Sequence, residues 1–66
     1  MYQVKVRDEA GLECYCSDGY HNEKQARAVF RKKFPDAQRL TALVINSHGY
    51  TVVAEKPAGL RNFRRV

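Results

Sequence analysis

Cys14, Cys16, His21 and His48 are the side chains in this chain best suited to hold a metal or to serve as nucleophile and base. Together they supply the four nitrogen and sulfur ligands that a tetrahedral zinc site requires. Their spacing argues against such a site. The Cys-x-Cys pair lacks the longer gap of a zinc knuckle, and His48 sits in a separate Asn46-Ser47-His48-Gly49 turn. A nucleophilic cysteine needs a histidine base beside it and a third group to orient that base, and nothing in the order of residues brings His21 or His48 to Cys16. There is also no pair of carboxylates, no glycine-rich phosphate loop and no H-E-x-x-H. The expectation is therefore a non-enzymatic protein with no metal and no cofactor. Its cysteines are expected to pack as small core hydrophobes. On one strand they would stand roughly 6.6 Å apart, near the outer limit for a disulfide. Reduced thiols suit a cytoplasmic protein.

The stronger chemical signal is positive charge. The 66 residues carry 12 Lys and Arg against 7 Asp and Glu, a net charge of +5. Its distribution is uneven. Residues 1–22 set Lys5 and Arg7 against Asp8, Glu9, Glu13 and Asp18, a net of −2. Residues 23–39 set Lys24, Arg27, Arg31, Lys32, Lys33 and Arg39 against Glu23 and Asp36, a net of +4. Residues 56–66 add Lys56, Arg61, Arg64 and Arg65 with no acid, again +4. Such asymmetry points to a nucleic acid, an anionic membrane or an acidic protein, against the plainer reading of a solvated charged surface. Lys24, Arg27 and Arg31, at i, i+3 and i+7, are expected to project from one side of a helix, with Lys32 and Lys33 close by. They could grip a phosphate backbone and release its condensed counterions. Arg61, Arg64 and Arg65 would extend the footprint, with Phe63 among them to stack on a base. No base-reading motif is evident, so binding of this kind would be independent of sequence.

The elements that must position these residues follow from periodicity. Tyr2, Val4 and Val6 alternate with Gln3, Lys5 and Arg7, the period of a strand with one buried face. A turn at Asp8-Glu9-Ala10-Gly11 leads to a second strand, with Leu12, Cys14 and Cys16 on one side and Glu13, Tyr15 and Ser17 on the other. Asn22 is a helix N-cap with Gln25 placed to complete a capping box. Over 23–34, Ala26, Val29, Phe30 and Phe34 form one apolar stripe, and Pro35 ends the helix. Arg39 to Ile45 reads as a buried strand, Asn46 to Gly49 as a turn, and Tyr50 to Glu55 as a further strand. Residues 57–66 either add a short edge strand or stay a basic tail.

The order is β-β-α-β-β, a single α+β domain over 1–66 with a largely antiparallel sheet and one helix on its apolar face. Tyr15, Tyr50 and Phe63 are expected on the wet face. At this length only about 60% of the unfolded surface is buried. A wet sheet face and open strand edges also invite a homodimer. There is no apolar run long enough to span a membrane, and the alternating residues after Met1 do not resemble a signal peptide.

The first half, from Tyr2-Gln3-Val4-Lys5-Val6 through the Gly11 turn to Asn22-Glu23-Lys24-Gln25-Ala26, resembles the arm-site DNA-binding domain of phage integrases, a small sheet followed by a helix. The layout of the whole chain resembles small phage anti-CRISPR proteins of type I-F, including the hairpin from Leu43 to Ala54. That resemblance implies a non-catalytic inhibitor that docks on an RNA-guided, nucleic-acid-processing complex and interferes with DNA binding. The basic helix face would make the contact. The alternative is a module that binds DNA or RNA phosphates directly through the same face and the basic tail.

Overall fold

Alternation in the first strand sets the layers. Val4 and Val6 are fully buried, whereas Lys5 between them is only half-covered. The computed structural model describes residues 1–66 as β1 (Tyr2–Arg7), β2 (Glu13–Cys16), α1 (Glu23–Lys33), β3 (Thr41–Asn46), β4 (Thr51–Lys56) and β5 (Arg64–Arg65). The strands form one sheet in the order β2-β1-β3-β4-β5, with every pair antiparallel. β2 and β3 therefore run parallel to each other with β1 between them, and α1 is the crossover that such a pair requires. This is the α+β, β-β-α-β-β arrangement, completed by a two-residue fifth strand at the β4 edge. No helix is long and apolar enough to cross a membrane.

Small side chains bring the helix close to the sheet. Ala26 on α1 and Ala42 and Ala54 on β3 and β4 are fully buried beside Val4, Val6 and Val44. Phe30 is the one large apolar side chain at the centre, 2% exposed. Its ring meets Phe34 on one side and Phe63 on the other, each with centroids 5.6 Å apart. Gly49, at φ 91°, takes the left-handed backbone of the turn between β3 and β4. Tyr50 follows it at φ 55° and is exposed.

Three expectations about faces need correction. Cys14 and Cys16 are exposed free thiols rather than core residues. Tyr15 and Ser17 take the inner face of the β2 segment instead. The Tyr15 ring packs edge-on against Phe34 at 5.6 Å, while Ser17 is buried with its hydroxyl accepting from the Val4 N–H at 2.9 Å. An aromatic ring can cover the end of the helix and a thiol cannot, so the larger side chain faces in. The pairing slips by one residue between Val6 and Arg7, leaving Cys14 without a partner across the strand pair. Phe63 is likewise on the helix side, against Phe30. Of the three aromatic residues expected on the wet face, Tyr15 and Phe63 are on the helix side, while Tyr50 is exposed at the hairpin tip.

Lys56 departs most from its sequence pattern, which groups it with the tail charges. It follows Ala54 on the inner face of β4 and is 2% exposed. With no carboxylate in reach, its ammonium donates to the carbonyls of Leu40 at 2.7 Å, Leu60 at 2.9 Å and Pro57 at 3.3 Å. The three donor positions of the ammonium are thereby filled. Burial holds its pKa below the ordinary 10.5. The unfolded chain thus binds this proton more tightly than the folded one, so stability rises with pH between the lowered value and 10.5. Lys56→Met is expected to lower stability at neutral pH by about 1–3 kcal/mol, since three carbonyls lose their donor. It should also flatten the rise in stability as pH approaches 10.5. Urea denaturation of both proteins at neutral and alkaline pH checks both effects.

Candidate functional site

The helix that carries five of the eight candidate basic residues begins as its sequence requires. The Asn22 side chain accepts from the Gln25 N–H at 2.9 Å. The reciprocal bond goes one residue further back than a capping box would place it, with Gln25 Oε1 accepting from the His21 N–H at 3.0 Å. Glu23 stands in the first turn, and Arg31, Lys32 and Lys33 stand in the last, each sign where the helix dipole favours it. Pro35 bars Phe34 from helical backbone, and the Phe34 N–H closes the helix on the Phe30 carbonyl at 2.9 Å.

The eight basic residues singled out from sequence do not form one face. At 3.6 residues per turn, Arg27 lies only about 60° around the helix from Phe30, so it borders the buried stripe. Its guanidinium lies 5.4 Å from the centre of the Phe63 ring, and one nitrogen is 3.3 Å from Glu23 Oε2. Its Nε is buried with no hydrogen-bond partner. Arg27 is thus a half-buried, paired side chain, not a free charge donor.

Arg64 and Arg65 separate because neighbouring strand residues point to opposite faces. Arg65 faces the helix and places one nitrogen 2.8 Å from both Glu23 oxygens. Arg64 faces the open side of the sheet and bonds Glu55 Oε1 through Nε at 3.1 Å and Nη2 at 3.0 Å.

Lys24, Arg31, Lys32, Lys33 and Arg61 are exposed and form no ion pair. Lys33 leans over the Tyr15 ring, with Nζ 4.9 Å from the centroid. Arg31 and Arg61 belong to different elements, yet both line one open cleft of about 580 Å³ between the end of α1 and the Pro57–Asn62 segment. Three contacts draw the C-terminal segment to the helix and so create this proximity: Phe63 on Phe30, Arg27 over Phe63, and Arg65 on Glu23. Lys56, which its sequence position groups with the tail charges, is also among the residues that line this cleft. The i, i+2 step from Ala54 puts both residues on one face.

No group of three or more His, Cys, Asp or Glu side chains is placed to hold a metal ion. Comparison with protein-family models, with curated proteins and with solved structures finds no match for this chain.

Glu23 holds two arginines, so its neutralisation has a clear expected outcome. Glu23→Gln should cost about 1 kcal/mol, a modest figure because Arg65 is largely exposed and its pair is screened by solvent. Part of that loss should disappear in high salt, where the wild-type pairs weaken too. Urea denaturation at low and high ionic strength measures both.

Proposed function

We propose that this protein is a non-catalytic nucleic-acid-binding module that grips phosphates without reading sequence. The observation that carries this reading is the division of its cations. Lys24, Arg31, Lys32, Lys33 and Arg61 have no acidic partner, while Arg27, Arg64 and Arg65 are neutralised within the fold. A cation already held by a carboxylate offers little to an incoming phosphate. An unpaired one gains a partner and releases a counterion from the nucleic acid. The contact of the C-terminal segment with α1 adds Arg61 to the helix cations, as a continuous phosphate-binding surface requires. The resemblance to type I-F anti-CRISPR proteins implies that such a module would act at an RNA-guided complex, where its cations on the phosphates of the DNA would obstruct access to it.

Fluorescence anisotropy with labelled DNA and RNA tests the reading. Affinity is expected to fall steeply with salt, with a log–log slope near −0.9 for each duplex phosphate contacted. Arg31→Glu combined with Lys32→Glu should reduce binding at least tenfold, about 1.4 kcal/mol. Arg64→Ala, on the far face of the sheet, should leave it within about twofold. Absence of binding even at low salt would refute a nucleic-acid ligand and leave the acidic surface of a protein complex as the partner.

A further inference from the structure

Resting on that reading, we infer that the cleft between the end of α1 and the Pro57–Asn62 segment receives one unpaired nucleotide of a single strand. Its walls combine an apolar surface with positive charge. Phe34 is half-buried and Leu60 is 48% exposed, a large apolar side chain left uncovered beside an aromatic ring. Arg31 and Arg61 stand at the rim without ion pairs. Asn62 also lines the cleft, and its side-chain amide makes no hydrogen bond within the chain. A flat ring bearing hydrogen-bonding edges, joined to a phosphate, satisfies all of these at once. The ring lies against Phe34 and Leu60, the Asn62 amide meets its polar edge, and the two guanidiniums take the phosphate.

The charge balance of the cleft favours an anion. Lys56 contributes a buried ammonium that carbonyl dipoles solvate but no carboxylate neutralises. Asp36 is the one acid among the lining residues, set against Arg31, Lys56 and Arg61. The volume of about 580 Å³ lies within the range of small-molecule sites. A duplex keeps its bases stacked and paired, so it can reach the rim but cannot fill the cleft. The cleft therefore confers a preference for single strands that phosphate contacts alone would not produce.

Anisotropy with one labelled sequence, as a single strand and as a duplex at fixed salt, tests this. The single strand should bind roughly five- to tenfold more tightly, the lower end of what one stacked base contributes. Leu60→Ser combined with Asn62→Ala should bring the two affinities together while duplex affinity stays within about twofold. Both side chains are exposed, so the fold is expected to persist. An NMR titration of the wild-type protein with a nucleoside monophosphate gives an independent readout. The largest shifts should fall on Phe34, Leu60 and Asn62, and the Lys56 titration midpoint should move up toward 10.5 as the anion arrives. Equal affinity for both forms, unchanged in the double variant, would overturn the nucleotide pocket and leave phosphate binding intact. Failure of both forms to bind at low salt would overturn the two together.

Discussion

A buried ammonium with no acid beside it must find its compensation in carbonyl dipoles. Lys56 takes them from two stretches far apart in sequence, Leu40 just before β3 and Pro57 to Leu60 just after β4. Those stretches cannot move independently while one ammonium holds both. The chain beyond β4 is therefore turned back at a fixed place. From there Phe63 reaches the Phe30 ring and Arg65 reaches Glu23. In a core made largely of alanine and valine, such an anchor matters more than it would in a larger protein. Burial of small side chains gives each pair of elements little apolar area to hold it.

The same anchoring sorts the charges. A chain of net charge +5 has a surplus of cations, and the fold decides which of them stay available. Glu23 lies in the first turn of α1, where the helix dipole favours it, and there it holds Arg27 and Arg65. Glu55 holds Arg64 on the other side of the sheet. Apart from Arg7 on β1, the exposed cations left unpaired lie on α1 and at Arg61, and Arg31 and Arg61 among them line the cleft that Lys56 also borders. An anion approaching this region meets cations that need not break an existing pair.

Much of the fold was legible from local rules. The Asn22 cap, the Ala26–Phe30 stripe, the Pro35 stop, the two hairpins and the inward side of β1 each follow from residues within a few positions of one another. The side of β2 that faces inward was not legible, because it depends on whether the Phe34 ring needs Tyr15 or a thiol above it. A one-residue change of phase exchanges the two faces. Arg27 was misplaced for a related reason. A wheel of polar residues does not reveal that Phe63 will come to its flank from a distant position, although Glu23, one turn back on the same helix, was within reach by spacing alone. Lys56 looked like a tail charge because lysine is seldom fully buried, although its step from Ala54 already placed it on the inner face. Of the candidate site, the basic residues were readable, but the pairing of Arg64 with Glu55 and of Arg65 with Glu23 required the tertiary contacts of the last seven residues.

Lys56 holds Pro57 to Leu60 in place, and the contacts of Phe63 and Arg65 with α1 make the segment as far as Arg65 an ordered part of the fold. Backbone 15N relaxation on the wild-type protein tests that order most directly. Order parameters at Leu60 to Arg65 are expected to lie close to those of α1, about 0.8 or higher. Values below about 0.6 through this segment would make it a mobile tail that neither Lys56 nor α1 holds.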